Sequence, residues 1–363
     1  MSSAVFLTVI IDMPFLRVKI FAKARMSAAV TAAMHGLNVL MVEKEAKFGG
    51  TMARSGGWLW IPGTSLAKVW GIHEDRDLAR TYLRPEAGNS FDAERVDAFI
   101  EHGPKAVDFF VTRTAVRFDM PLVFPDYHAE APGGTQGGRS MVARPFDGRE
   151  LGGHIESLGA ALPELTVFGM MLGSGKEIVH FMRATRSLQS AIYVAKRLSN
   201  HFFEVLRYGR GMLLTNGNAL AGRLAKSAFD LGIPLWLSSP SKELIADDGT
   251  VRGAVVERYG KRIHVVARRG VVLACGGFPH DVAWRKALFP HAPTGREHYS
   301  PGPTGNTGDW LRLGESVGGK VDTLGTSIGH NAQRRSEWCD AALHRSGEAR
   351  RDCGYGEREA LHE

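Results

Sequence analysis

The sequence predicts an α/β fold, and three observations carry that expectation. Two continuous apolar runs of strand length, residues 37–43 (LNVLMVE) and 270–274 (GVVLA), end at an acid or at a glycine pair, as parallel strands buried on both faces do. Helical segments precede the strand runs at 37–43 and 233–237, the alternation from which such sheets are built. Glycine supplies 43 of 363 residues, about one in eight against roughly 7% in an average chain. The glycines gather in pairs (49 and 50, 56 and 57, 133 and 134, 137 and 138, 276 and 277) rather than in linkers. One pair alone reads equally as a turn, but five indicate backbone that approaches an extended ligand closely.

Composition narrows the class further. With 44% hydrophobic and 23% charged residues, the chain reads as a globular enzyme rather than a disordered or fibrous protein. No stretch reaches the roughly 18 uninterrupted apolar residues of a membrane span. The apolar opening run, 4–11, is closed by Asp12 and preceded by no Lys or Arg, so no secretory signal is expected. Three cysteines exclude a disulfide framework and fit a reducing cytoplasm. The net charge of +7 is compatible with nucleic acid, and an anionic cofactor or a small anionic substrate accounts for it equally well.

Along the chain, residues 24–35 are alanine-rich and helical, with Gly36 placed to end the helix. The strand at 37–43 follows, then a Gly/Ser/Thr loop over 44–57. Residues 73–115 carry two amphipathic helices, visible in Val96, Phe99 and Ile100, then Val107, Phe109 and Phe110. Residues 120–150 are loop-rich, and 176–208 form a long basic helix pair. A helix over 219–231 ends at Gly232 and leads into a short strand at 233–237. Three strands with turn signals between them follow at 243–246, 251–258 and 263–267. The return strand at 270–274 runs into Cys275, Gly276, Gly277 and Phe278.

Three other patterns carry less. Residues 169–177 (GMMLGSGKE) approach a phosphate-binding loop, but Met170 stands where glycine is needed and Glu177 replaces the Ser/Thr that holds magnesium. The histidines and cysteines show no short metal-ligand spacing, so no metal is expected. The basic run 183–210, with Phe202, Phe203 and Tyr208 interleaved, could be a nucleic-acid face. Its helical spacing favours a core stripe beneath a solvated basic face, so no nucleic-acid partner is expected.

Four segments carry a resemblance: VEKEAKFGGTMARSGGWLW at 42–60, NALAGRLAKSAFDLGIPLWLSSP at 218–240, VVLACGGF at 271–278 and GNTGDWLRLG at 305–314. In this order, over 26–314, the chain resembles the FAD-dependent oxidoreductases that include fumarate reductase and succinate dehydrogenase flavoproteins and 3-ketosteroid dehydrogenases. The resemblance implies a Rossmann-like FAD-binding domain of glutathione-reductase type with a β-meander insertion, plus a fragment of a second, capping domain. The implied division is an aberrant segment at 1–25, the FAD-binding domain at 26–280 with a helical insertion over about 65–210, the start of the substrate domain at 281–330, and a disordered tail at 331–363. FAD is the implied cofactor. The implied activity is oxidation or reduction of a C–C bond next to a carbonyl, of ketosteroid-dehydrogenase or fumarate-reductase type. The substrate would be a small molecule, a steroid-like ketone or a dicarboxylate. No membrane span, a cytoplasmic location and an unidentified electron acceptor complete the expectation.

The resemblance also marks site residues. Glu43, ending the second strand, would accept the ribose hydroxyls of the adenosine, with Lys44 beside it; a solvated strand-end acid is the other reading of Glu43. Gly49, Gly50 and Thr51 offer backbone N–H groups to a pyrophosphate or ribityl chain. Ser55, Gly56 and Gly57 let backbone lie against the flavin ring, unless they form an ordinary turn. Ala274, Gly276, Gly277, Thr307, Gly308 and Asp309 complete the cofactor set. Tyr127 is the catalytic candidate, because 124–127 (FPDY) resembles the Pro-Asp-Tyr context of a tyrosine used by ketosteroid-type members; a loop tyrosine packed on Pro125 is the alternative. Arg296, His298 and Tyr299 are weaker candidates for substrate contact.

Two departures qualify the match. The family opens with a strand and a G-x-G-x-x-G loop, which should fall at 20–25, yet Ile20, Phe21, Ala22, Lys23, Ala24 and Arg25 stand there and the first 35 residues hold no glycine. Lys23 or Arg25 would then attract phosphate instead. The family also continues well beyond the last motif, whereas the final 31 residues here hold 13 charged ones and no apolar period. The ends, 1–20 and 330–363, are therefore expected to be the least ordered parts. The alternative reading of function is a non-catalytic, truncated remnant that binds FAD weakly or not at all.

Overall fold

The computed structural model describes residues 6–10, 24–289, 292–298 and 300–320, with backbone alone for Phe6–Ile10, Ala24, Arg25 and Lys176. Residues 20–23 of the glycine-free stretch, Tyr299 and the tail at 331–363 lie outside the described residues.

Strand β1 (Phe6–Ile10) is followed by helix α1 (Ala24–Met34) and strand β2 (Val39–Glu43), whose five residues are all buried. A short helix α2 (Gly50–Arg54) and strand β3 (Trp58–Trp60) come next, then α3 (Ser65–Val69). The two amphipathic helices expected over 73–115 are α4 (Arg76–Ala87) and α5 (Ala93–Arg113). Each starts at an aspartate, Asp75 or Asp92, whose carboxylate accepts a first-turn N–H. Between α5 and the basic helix pair lie short strands, β4 (Phe118–Asp119), β5 (Ser140–Ala143), β6 (Phe146–Asp147), β7 (Thr166–Val167) and β8 (Met170–Met171), with 3-10 turns at Gly148–Ser157 and Pro163–Leu165. The basic pair is α6 (Lys176–Arg183) and α7 (Leu188–Tyr208), followed by β9 (Leu213–Leu214) and α8 (Asn216–Asp230). Then come β10 (Leu235–Trp236), the antiparallel meander β11 (Ser241–Asp247), β12 (Thr250–Arg258) and β13 (Lys261–Val266), and the return strand β14 (Gly270–Leu273). Helices α9 (Val282–Leu288) and α10 (Asp309–Glu315) close the described chain.

The central sheet has the order β10-β2-β1-β14. Strand β10 runs parallel to β2, and β1 runs antiparallel to both β2 and β14. Two reversals cancel, so β2 and β14 point the same way. Their C-terminal ends meet one edge, where Phe6 pairs with Glu43 and Leu7 with Leu273. Phe6–Ile10 is an apolar and β-branched run whose backbone hydrogen bonds are met inside the sheet.

The sheet is the middle of three layers. Val39 and Met41 join the core with Ala29, Val30, Leu220, Leu224 and Ala228 of helices α1 and α8. Leu40 and Val42 point the other way and join Ala254, Val256 and Ala267 under the meander. Burial on both faces is why Val39 to Val42 is apolar throughout rather than alternating. Each such side chain contributes roughly 1.5–3 kcal/mol on burial. Helix α8 ends in a double backbone bond, Ile233 N–H to Ala228 O at 3.0 Å and Gly232 N–H to Phe229 O at 2.9 Å. That closure needs a left-handed residue, and Gly232 supplies it at φ 67°.

The basic helix pair corrects an expectation. The apolar members of the 183–210 run do not form a core stripe: Leu188, Ile192, Phe202, Phe203 and Leu206 are exposed. The packed face of α7, which also carries half-buried Val194 and Leu198, is held by polar contacts instead. Arg197 Nε lies 2.8 Å from Glu177 Oε1, His201 Nε2 lies 3.1 Å from Phe168 O, and Ser190 Oγ lies 3.2 Å from His180 Nδ1. These polar contacts decide which side of the helix faces inward.

The described residues fall into two units, one of residues up to His280 together with those from Gly302 onward, the other beginning at Asp281 and running to Pro301. The smaller unit contains α9, whose Arg285 donates to the backbone oxygen of His298.

Candidate functional site

The C-terminal edge of the sheet gathers residues from three distant parts of the larger unit. Strand β2 ends at Glu43, which is fully buried; its Oε1 accepts the Glu45 N–H at 2.9 Å and its backbone oxygen accepts the Ser239 N–H at 2.7 Å. The next residue, Lys44, extends to the 305–314 motif, with Nζ 2.7 Å from Asp309 Oδ2 and 3.3 Å from Thr307 Oγ1. Thr307 Oγ1 also donates to Asp309 Oδ1 at 3.0 Å. From the return strand, Gly277 O accepts the Gly308 N–H at 3.1 Å. Ala274 is buried between β14 and this turn, and Gly276 takes φ 81°. Thus Lys44, Gly277, Thr307, Gly308 and Asp309 form one cluster.

The glycine loop joins the same cluster. Gly49 precedes α2 and Gly50 opens it. Thr51 Oγ1 accepts from Asn306 Nδ2 at 2.8 Å. The other oxygen of that amide, Asn306 Oδ1, is buried and lacks a hydrogen-bond partner among the described residues. At the far end of α2, Ser55 Oγ donates to Met52 O at 2.9 Å and accepts the Gly57 N–H at 3.2 Å, while Ser55 O accepts the Gly217 N–H at 3.0 Å. Gly56 follows, and Gly57, at φ 72°, lies so close to the backbone of Asn216 and Gly217 that a Cβ would overlap it. A small depression beside them is lined by Ser55, Thr215 and Asn216 together with Leu165 and Met171.

Tyr127 is placed differently from its sequence context. It is 92% exposed and makes no hydrogen bond or ring contact among the described residues, whereas its neighbour Asp126 is buried. Asp126 accepts from Trp60 Nε1 at 2.7 Å, from the Thr135 N–H at 3.0 Å and from Arg139 at 2.8 Å. Phe124 stacks on Trp58 with ring centroids 3.9 Å apart. The tyrosine loop is therefore fastened to β3, directly after the 55–57 turn. Arg296 and His298 lie in the smaller unit.

Several residues of this site escape sequence reasoning. Asn306 sits inside a quoted motif, but only the fold brings its amide to Thr51. Asn218 donates to Ala53 O and Gly159 O, fastening α8 to α2. The polar run at 215–218, buried at the start of an otherwise apolar helix, was the available signal. The Arg139–Glu74–Asp126 network had none. The loop at 173–177 is closed on its own glutamate, since the Gly173 N–H donates to Glu177. Among the described residues, no three His, Cys, Asp or Glu side chains lie together as a metal ion requires.

The comparisons agree with this arrangement. Residues 24–327 match the family model described as FAD binding domain. The chain is 39% identical over 308 residues to a 4-oxocyclohex-2-ene-1-carboxylate 5-dehydrogenase of Sinomonas cyclohexanicum, covering 84% of this chain and 51% of that protein. A 3-oxosteroid 1-dehydrogenase of Mycobacterium tuberculosis is 32% identical, with 83% of this chain and 53% of that protein covered. Among solved structures, the 3-ketosteroid delta1-dehydrogenase of Sterolibacterium denitrificans in complex with 1,4-androstadiene-3,17-dione matches with TM-score 0.71 and 32% identity, over 82% of this chain and 53% of that one. The fold, an α/β FAD-binding fold, is shared with a flavocytochrome c3 fumarate reductase at TM-score 0.50 and 18% identity.

The chain belongs to the FAD-binding-domain family that contains the ketosteroid and oxocyclohexene-carboxylate dehydrogenases. FAD is the cofactor that this membership assigns to it. The chain spans about half the length of the curated relatives it matches. The residues present fit the group: the buried amide oxygen of Asn306, which lacks a partner among the described residues, is an acceptor that a cofactor hydroxyl would satisfy. No helix among the described residues is long and apolar enough to cross a membrane.

Proposed function

We propose that the chain is the FAD-binding part of a flavin dehydrogenase that acts on a C–C bond next to a ketone. One observation carries this reading. Segments more than 200 residues apart, each resembling a flavoprotein motif, are joined by direct hydrogen bonds at one sheet edge, Lys44 to Asp309 and Thr51 to Asn306, and Gly308 adds a bond to Gly277 of the third motif. Glu43, Lys44, Gly49, Gly50 and Thr51 are assigned to the adenosine, phosphate and ribityl side. Ser55, Gly56, Gly57, Ala274, Gly276, Gly277, Thr307, Gly308 and Asp309 are assigned to the flavin side. Bound FAD supplies the acceptor for a hydride leaving the substrate carbon. Tyr127, held out by the buried Asp126, is assigned the substrate-facing role of moving the neighbouring proton. The names of the relatives favour a cyclic ketone, a 3-ketosteroid or an oxocyclohexene carboxylate, over a linear dicarboxylate. The sheet with its meander is read as a Rossmann-like domain of glutathione-reductase type, residues from 281 as the opening of a capping domain, and the cytoplasm as its location.

A second reading, weak FAD binding, is favoured by the direction of β1. In a dinucleotide-binding turn the first strand ends at the edge where the cofactor lies. Here that edge holds Phe6, and the strand ends at Ile10 on the far side. The experiment is an FAD titration of the apoprotein followed by flavin fluorescence, then addition of a 3-ketosteroid or a 4-oxocyclohexene carboxylate to the loaded protein. Stoichiometric binding with bleaching of the flavin band supports the dehydrogenase. Binding without bleaching leaves a cofactor module alone, and failure to bind FAD overturns the reading.

A further inference from the structure

Helix α7 carries an uncovered seam with an unusual symmetry. Leu188, Ile192, Ala195, Ser199, Phe202 and Leu206 are all exposed, with Leu188 at 79% and Leu206 at 87%. They are spaced four, three, four, three and four residues apart, the 3.5-residue period of a helix that packs along another helix. At about 1.5 Å per residue the helix is about 30 Å long, so the seam runs nearly its whole length. None of the six residues is charged; Lys196 and Arg207 lie to one side of the seam.

The order of the six residues reads the same in both directions. Counted inward from either end, a leucine is followed by a large apolar residue (Ile192 or Phe202) and then by a small one (Ala195 or Ser199). Two copies of such a helix, laid antiparallel across a two-fold axis beside the midpoint, pair Leu188 with Leu206, Ile192 with Phe202, and Ala195 with Ser199. Large meets large at the ends, and small meets small at the centre, where the backbones approach most closely. This is the condition for an isologous interface, in which one patch must complement itself. A parallel pairing would set Ile192 against Ile192 and Phe202 against Phe202, two large layers of unequal width, whereas the antiparallel register makes both of them one isoleucine against one phenylalanine. A random apolar face has no reason to be palindromic in size.

We propose that α7 is a homodimerisation helix: a second copy of this chain covers it antiparallel, in the register that sets Leu188 against Leu206. The proposal does not depend on FAD binding. It also accounts for the reversed burial of α7, because its intramolecular face is held by polar contacts such as Arg197 with Glu177, leaving the apolar side for the partner.

Sedimentation velocity of the full chain over a concentration series is the first measurement. A dimer is expected, and Leu206→Glu, which alters an exposed side chain, should weaken it at least tenfold while the far-ultraviolet spectrum and melting of the monomer stay unchanged. Register is read by disulfide trapping in a background carrying Cys339→Ser and Cys353→Ser. Leu188→Cys chains mixed with Leu206→Cys chains should form a cross-linked dimer on mild oxidation, and neither should do so alone. Cross-linking of Leu188→Cys with itself would overturn the antiparallel register. A monomer at every concentration, with α7 instead bound to anionic vesicles or covered by further chain of a longer protein, would overturn the dimer. A dimer indifferent to Leu206→Glu would overturn it as well.

Discussion

Lys44 Nζ lies 2.7 Å from Asp309 Oδ2, an ion pair between residues 265 apart in sequence that ties the end of the second strand to the last glycine motif. Both side chains are about four-fifths buried, so water screens the pair less than it would at the open surface. It holds the two backbone segments together at the C-terminal edge of the sheet. In thermal unfolding, Lys44→Met and Asp309→Asn should each destabilise the fold. A double-mutant cycle should return a coupling of about 1 kcal/mol. Strict additivity would show that the pair is a crossing without consequence.

Gly57 has the least freedom to change of any residue in the glycine loop. Its φ is 72°, and a Cβ would overlap Asn216 and Gly217 at the start of α8. Gly57→Ala should cost about 1–3 kcal/mol from strain alone and push α2 away from α8, lowering both the melting temperature and the affinity for FAD. Gly36→Ala serves as the control, since nothing lies within 4 Å of the Cβ it would add. A loss confined to stability in both variants would remove Gly57 from the site.

Arg139 is fully buried between two carboxylates, 2.7 Å from Glu74 Oε1 and 2.8 Å from Asp126 Oδ2, with its guanidinium 5.5 Å from the Trp60 ring centre. Arg139→Met leaves both acids buried without their counter-charge and should cost about 3–5 kcal/mol in urea unfolding. Arg139→Lys should recover less than half, because a single ammonium cannot reproduce the fork that reaches both acids. Loss of turnover in a variant that still folds and binds FAD would identify this network as the support of the loop that carries Tyr127.

The Glu45 carboxyl is held above the ordinary 4.5 by burial, partly offset by the Lys44 ammonium, and its Oε1 is buried without a hydrogen-bond partner among the described residues. A folded-state value above the unfolded one means that the folded chain binds this proton more tightly. The contribution of Glu45 to stability therefore improves as pH falls from the raised value towards the ordinary one, and its charged form works against folding at neutral pH. Glu45→Gln should melt higher than the parent at pH 7, with the difference shrinking as pH falls through that interval. An equal difference at every pH would show that burial of this carboxyl is not the cause.

Much of the fold is determined locally and can be read from the sequence. A run with no polar residue, such as Leu40 to Val42, requires cover on both faces, and the helices and the meander supply it. Gly36 and Gly232 end their helices because the closing backbone bonds need a left-handed residue. Turn residues at 247–249 and 259–261 set the three antiparallel strands. The four flavoprotein segments were equally plain, because a close backbone approach to a ligand demands glycine at defined places. Other features depended on partners far along the chain. The direction of β1 follows from which neighbours satisfy its backbone, and an apolar run of five residues fits a sheet either way up. The exposed side of α7 reads as a core stripe in the sequence because periodicity finds an apolar face without saying what covers it. Arg197, His201 and Ser190 made the other face the inward one. Asn306 and Asp126 acquire their roles only from Thr51, Trp60 and Arg139, contacts that no spacing in the sequence encodes.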